Sequence, residues 1–120
     1  MALDQAIIDL TRTLADPSGG SQWGESVRAR LAAVRAELDH ARGKNRTRDG
    51  WLSARERTSN RERRRLALRL SSIGPRILDH PETETSLREL RRVAVELEHY
   101  RQRVHDLLYD AVALELGGSE

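Results

Sequence analysis

The sequence predicts an all-α fold: an antiparallel bundle of about four helices with a long C-terminal helix, in one domain over residues 1–120. Three observations predict it. Aliphatic residues recur at helical spacing in four segments. Gly and Pro cluster between those segments. No alternating β-branched run and no Asn-Gly hairpin signal occurs. A length of 120 residues suits one domain with its own core. Phe is absent and only Trp23, Trp51, Tyr100 and Tyr109 are aromatic. Leu, Ile, Val and Ala must therefore supply nearly all the apolar burial, at roughly 25 cal/mol per Å². Charged residues make up 33% of the chain, against roughly 25% in ordinary globular domains. That excess suits helices with one buried stripe and wide solvated faces.

The first helix follows from Leu3, Ile7, Leu10 and Leu14, which share one face. Asp16-Pro17-Ser18-Gly19-Gly20 ends it, because the residue before Pro avoids helix and paired Gly is too flexible to continue one. The second helix is expected from about Gly24 to Arg42, with Val27, Leu31, Val34, Leu38 and Ala41 as its stripe. The polar segment Gly43 to Gly50 breaks the chain again. In the third segment Trp51 and Leu52 form an apolar anchor, and a short helix over 51–57 fits it. Ser59-x-x-Glu62 has the spacing of a capping box, which starts a helix lined by Leu66, Leu70, Ile73 and Ile77. Gly74-Pro75 is expected to break or kink that helix near its end.

The last helix carries the clearest pattern. Asp79-x-x-Glu82 with Pro81 marks its start. Leu90, Val93, Leu97, Tyr100, Val104, Leu107, Ala111 and Leu114 then alternate spacings of three and four, a heptad-like seam. Leu87, Ala94, Leu108 and Val112 widen it, and Gly117-Gly118 stops it. About 33 residues at ~1.5 Å each span ~50 Å, so this helix needs partners along its length, from the other three or from a second copy.

Composition excludes several function classes. Without Cys there is no disulfide framework, thiolate nucleophile or Cys-ligated metal. Met1-Ala2-Leu3-Asp4 lacks the basic start and apolar run of a secretory signal, and no segment approaches the ~20 apolar residues of a membrane span. A cytoplasmic protein is expected. Lys44 is the single Lys among 21 basic residues, a bias that points to a GC-rich bacterial genome. Ser and Thr are scattered without a His/Asp partner and no Gly-rich phosphate loop exists, so neither nucleophilic catalysis nor nucleotide binding has support.

Charge is segregated. From Arg42 to Arg69 eleven Arg/Lys stand against three acids, a net of +8; from Asp79 to Glu120 ten acids stand against five Arg, a net of −5. A basic middle beside an acidic C-terminal helix allows attraction within one molecule or between two. Arg61, Arg64 and Arg65 lie within about a turn of one another, where each neutralised phosphate would add salt-dependent affinity. No aromatic residue interleaves the arginines of 55–69 to stack bases.

Two Glu-x-x-His motifs, Glu37 to His40 and Glu96 to His99, have the spacing used by carboxylate-bridged di-iron bundles. At ~100° per residue, however, His40 and His99 each lie about 140° from the centre of their helix's stripe, on the outer face. His80 and Glu84 sit at a helix start, where acids suit the helix dipole. His105 flanks the apolar stripe, in reach of Asp106 or of an acid on a neighbouring helix.

The segment Tyr100-Arg101-Gln102-Arg103-Val104-His105-Asp106-Leu107-Leu108-Tyr109-Asp110-Ala111, followed by Gly117-Gly118, resembles the C-terminal helix of small actinobacterial hemerythrin-like proteins. Looser similarity runs back through Asp49-Gly50-Trp51-Leu52 to the Val27–Ala41 helix, so the resemblance covers roughly residues 25–118, with the specific part in the last twenty. It implies a four-helix bundle, which in that family holds a di-iron centre with inward His and carboxylates. Here Tyr100 and Ala41 stand where the resemblance implies two of those His, so it implies the bundle and argues against the metal.

The expected function is therefore non-enzymatic: a protein–protein interaction or regulatory module that self-associates, with no cofactor, no metal and no catalytic residues. The expected partner surface is Arg55, Arg57, Arg61, Arg64 and Arg65 of the basic middle with Leu97, Tyr100, Val104 and Leu107 of the seam. The partner is a protein or a second copy of the chain, and no membrane partner is expected. The alternatives are a hemerythrin-like iron-binding protein and a nucleic-acid binder acting through residues 55–69.

Overall fold

Four aliphatic stripes meet in the computed structural model, which describes residues 2–17, 20–40, 50–73 and 75–117. The elements are α1 (Ala2–Ala15), α2 (Gly20–His40), α3 (Gly50–Ser71), α4 (Pro75–Asp79) and α5 (Glu84–Gly117), with no strand among the described residues. Helix α1 packs on α2 and α5, and α3 packs on α2 and α5, so the four long helices close a ring. Trp23 and Arg30 of α2 reach Thr13 and Asp9 of α1. Leu14 and Asp4 of α1 meet Arg91 and His105 of α5. Arg69 and Glu62 of α3 meet Glu89 and Arg103 of α5. Each pair of contacts fixes an antiparallel alignment, and the three together make α2 and α3 antiparallel as well. The expected antiparallel bundle is the observed one.

The core is the aliphatic one that the composition requires. Ile7, Leu10, Val27, Val34, Leu38, Leu90, Val93 and Leu97 have no exposed surface, and Leu66 and Tyr100 almost none. Burial of each such side chain contributes about 1.5–3 kcal/mol. The seam of α5 splits, however. Leu90, Val93, Leu97 and Tyr100 are buried, whereas Val104 and Leu107 are half-buried. The side chains of Ala111 and Leu114 lie outside the described residues.

Helix ends are satisfied by side chains from neighbours, because the last four carbonyls of a helix have no partner within it. Trp23 Nε1 donates to the Thr13 carbonyl at 2.7 Å, and Arg91 Nη2 to the Leu14 carbonyl at 2.9 Å, so α2 and α5 both close the end of α1. Arg28 Nη1 donates to the Leu78 carbonyl of α4 at 2.7 Å. Gly20 takes a left-handed φ of +51° at the first residue of α2, a conformation that costs Gly nothing.

Several boundaries differ from expectation. Helix α2 starts at Gly20, one turn earlier than Gly24, and is described to His40; Arg42, Ala41 and the 43–49 break lie outside the described residues. Helix α3 is continuous from Gly50 to Ser71, so Ser59 is an interior helical residue and not a cap. Ser59-x-x-Glu62 has capping spacing, but preceding turns of helix supply the backbone partners there. Helix α3 ends at Ser71, before Gly74-Pro75, and Pro75 opens the short α4, a position where its missing N–H is no loss. At the start of α5, Thr83 Oγ1 accepts from the Ser86 N–H at 3.3 Å. Thr83 is therefore the cap, four residues beyond the expected Asp79.

Leu97 sits at the middle of this core. A Leu97→Asp substitution places an unpaired carboxylate there, a cost of several kcal/mol against a total stability of about 5–15 kcal/mol. Loss of the cooperative thermal transition by circular dichroism is the expected outcome. An unchanged melt would overturn the seam.

Candidate interaction surface

The basic middle separates into three groups once α3 is folded. The first faces α5. Arg69 donates from Nε to Glu96 at 2.9 Å and pairs through Nη2 with Glu89 at 2.7 Å. The Glu96 hydrogen bond, above all, holds the Arg69 pKa above its ordinary value. Arg65 lies 3.7 Å from Glu96 and 3.9 Å from Glu62, and Arg103 of α5 binds Glu62 in return. The expected attraction between basic middle and acidic helix thus operates within the molecule. Arg65, expected on the partner surface, is instead tied to the molecule's own acids.

The second group is Arg63 alone. It is buried at 3% exposure, and its Nη1 donates to the Leu38 carbonyl at 3.3 Å, near the end of α2. Asn60 Oδ1, Ser59 Oγ and Arg63 Nε are buried without a hydrogen-bond partner. Tyr100 of α5 stands beside them. Burial raises its phenol pKa; the Ser59 hydroxyl and the Arg63 charge oppose the rise, although Ser59 is not in full hydrogen-bond geometry. The third group, Arg57, Arg61 and Arg64, lies exposed on the outer face of α3 with no ion pair among the described residues. Arg61 meets only the Thr58 hydroxyl, at 3.2 Å. The Arg55 side chain lies outside the described residues.

Among the described residues most of the exposed large apolar side chains lie on α5. Leu108 is 48% exposed, Tyr109 74% and Val112 56%. With His105 they sit at i, i+3, i+4 and i+7, one strip of helix surface. Leu108 and Val112 continue the line of Leu90 and Ala94, both buried higher up. The difference is the cover. Asp4 of α1 meets His105 Nε2 at 2.9 Å, so the described turns of α1 reach along α5 to about His105, short of Leu108. Beside the strip, Glu98 accepts both Nε and Nη2 of Arg101, which lowers the Glu98 pKa.

The site residues expected from sequence therefore divide. Leu97 and Tyr100 are core residues that a partner cannot reach in the folded chain. Val104 and Leu107 are half-buried at the margin. Leu108 and Val112 were expected to widen the buried seam and are exposed instead, because a helical wheel does not show where the covering helix stops. Tyr109 is named in the sequence only as an aromatic and as part of the hemerythrin-like segment; its signal as a surface residue is its place between Leu108 and Val112.

The four His side chains do not converge. His40 and His99 are exposed, His80 Nδ1 lies 3.5 Å from Glu82, and His105 is engaged by Asp4. Among the described residues no group of three or more His, Cys, Asp and Glu could hold a metal ion. A cleft of about 530 Å³ beside α4 is lined by Arg69, Ser72, His80, Thr83 and Glu89 among others, but its one guanidinium is already neutralised. Among the described residues no helix is long and apolar enough to cross a membrane. No family model, curated protein or solved structure matches the chain.

Tyr100 supplies a pH signature. Because its folded pKa is raised above the unfolded value of about 10, its contribution is intact below that pH and is lost as pH rises through the folded pKa. Stability measured by urea unfolding is expected to fall above about pH 10, and Tyr100→Phe to flatten that fall. An equal fall in the variant would contradict the assignment.

Proposed function

We propose that the chain is a non-enzymatic, cytoplasmic interaction module that pairs with a second copy of itself through the uncovered end of α5. The observation that carries this reading is the exposure of Leu108, Tyr109 and Val112 in one strip beyond the start of α1. A strip on a single helix is self-complementary across a twofold axis, as closed dimers require. Six side chains from two copies, at roughly 1 kcal/mol each for partial burial, only begin to offset an association cost of about 4–15 kcal/mol. Pairing through this strip is accordingly weak and concentration-dependent.

Sedimentation equilibrium over a concentration series reaching about 1 mM, where a weak contact of this kind populates the dimer, tests the reading. The expected result is a monomer–dimer equilibrium that a Leu108→Glu/Val112→Glu double variant abolishes while circular dichroism stays unchanged. A wild-type chain that remains monomeric throughout, or a variant that dimerises equally, would overturn it.

Arg57, Arg61 and Arg64 favour a second reading, binding to nucleic-acid phosphates, because they face solvent in a row with no acid partner among the described residues. Three contacts give a modest affinity that weakens with salt. In a gel-shift series from low to moderate salt, binding that disappears in an Arg57→Gln/Arg61→Gln/Arg64→Gln variant supports this reading. No shift even at low salt removes it.

A further inference from the structure

A second heptad stripe runs along the outside of α5. Arg88, Val95, Gln102 and Tyr109 recur every seven residues, and Arg91, Glu98, His105 and Val112 follow each of them by three. Two positions per heptad at this spacing form one seam on a helix. Of these eight side chains Glu98 is half-buried and the rest are exposed. Arg92, His99 and Asp106 flank the stripe and are exposed too. At the Val95 end the stripe borders a groove of about 350 Å³ between Thr11, Leu14 and Ala15 of α1 and Ala94 and Val95 of α5. The polar groups lining the groove are already engaged: Arg91 by the Leu14 carbonyl, Glu98 by Arg101, and the Thr11 hydroxyl by the Ile7 carbonyl. What the groove offers a visitor is apolar. At the other end of the stripe stand Tyr109 and Val112, both exposed. Val95 and Tyr109 lie two heptads apart, about 21 Å along the helix at ~1.5 Å per residue.

A groove and an aromatic knob at the two ends of one stripe are complementary when two copies run antiparallel. A twofold axis at Gln102 sets Tyr109 of each copy against Val95 of the other, at the groove. The same axis sets His99 against Asp106 of the second copy and His105 near its Glu98, so imidazoles meet carboxylates. Gln102 meets Gln102, and an amide both donates and accepts. A parallel pair instead sets Asp106 against Asp106 and Arg92 against Arg92, like charges that oppose contact. A pair centred on the apolar strip leaves the groove vacant. We propose that two copies of the chain pair through α5, antiparallel about Gln102, with Tyr109 of each seated in the α1–α5 groove of the other. The proposal rests on the reading that the chain self-associates and names what its exposed strip meets.

The test uses the full chain. Because it has no Cys, one introduced thiol reports one position, and Val95, Gln102 and Tyr109 are exposed positions that accept one without disturbing the core. Val95→Cys, Gln102→Cys and Tyr109→Cys chains are treated with a short bismaleimide at concentrations that populate the dimer. Expected are a Gln102→Cys dimer linked to itself and a mixed dimer of Val95→Cys with Tyr109→Cys that forms faster than either links to itself. Val95→Glu, with circular dichroism like that of the wild type, is expected to raise the dimer dissociation constant several-fold in sedimentation equilibrium. A wild-type dimer that Val95→Glu leaves intact, that gives no mixed cross-link, or that links Tyr109→Cys to itself in preference, overturns the antiparallel register while self-association stands. A chain that stays monomeric at every concentration and gives no cross-link overturns the register together with the reading beneath it.

Discussion

The constraint on which this molecule turns is a mismatch of helix lengths. Helix α5 has 34 residues and α1 has 14, or about 51 Å against about 21 Å at 1.5 Å per residue. A helix as polar as α5 is held mainly by burial of its apolar stripe, and α1 covers that stripe only between Arg91 and His105. Within that span Val93, Ala94, Leu97 and Tyr100 are buried. Beyond it the same stripe continues as Leu108 and Val112 with nothing from α1 to receive it. The buried core and the exposed strip are one sequence pattern divided by the position of a neighbour's first turn.

A second theme is the use of charge at helix ends. An aliphatic core offers no hydrogen bonds, so the carbonyls at the C-termini of α1, α2 and α4 must be met from elsewhere. Arg91, Arg63 and Arg28 meet them, with Trp23 assisting at α1. Guanidinium suits this task because its several N–H groups reach over apolar packing on a long stem. In sequence Arg63 is indistinguishable from the other arginines of the 55–69 run. In the fold Arg63, Arg65 and Arg69 are committed to the molecule's own carbonyl and carboxylate groups, which reduces the exposed row to Arg57, Arg61 and Arg64.

The four stripes were legible because Leu, Ile and Val at helical spacing mark one face of a helix for burial. The continuity of α3 was not, although a signal existed. Ser59, Arg63, Leu66 and Leu70 fall at i, i+4, i+7 and i+11, so the apolar face of α3 runs on into Ser59 and Arg63. Reading only apolar residues ended the stripe at Leu66 and turned Ser59 into a cap. The same habit hid the polar cluster, since its members are inward by position and outward by chemistry. The assignment of Leu97 and Tyr100 to a partner surface failed for a related reason. A long seam shows that cover is needed, and only the other helices' lengths show where cover is already supplied.

The unusual features collect at one end of the bundle. There α1 begins, α2 ends, and α3 and α5 run on as a pair. At that end the described turns of α1 and α2 stop short of those of α3 and α5, so their cover is lost on two sides. On the α1 side the loss exposes Leu108, Tyr109 and Val112. On the α2 side the last carbonyls of α2 draw Arg63 inward, and Ser59 and Asn60 come with it because they share its face of α3. An apolar strip and an unsatisfied polar cluster have opposite chemistry, yet both arise from the same geometric fact. The opposite end, closed by Arg28, Thr83 and α4, has its carbonyls and its helix start met within the chain.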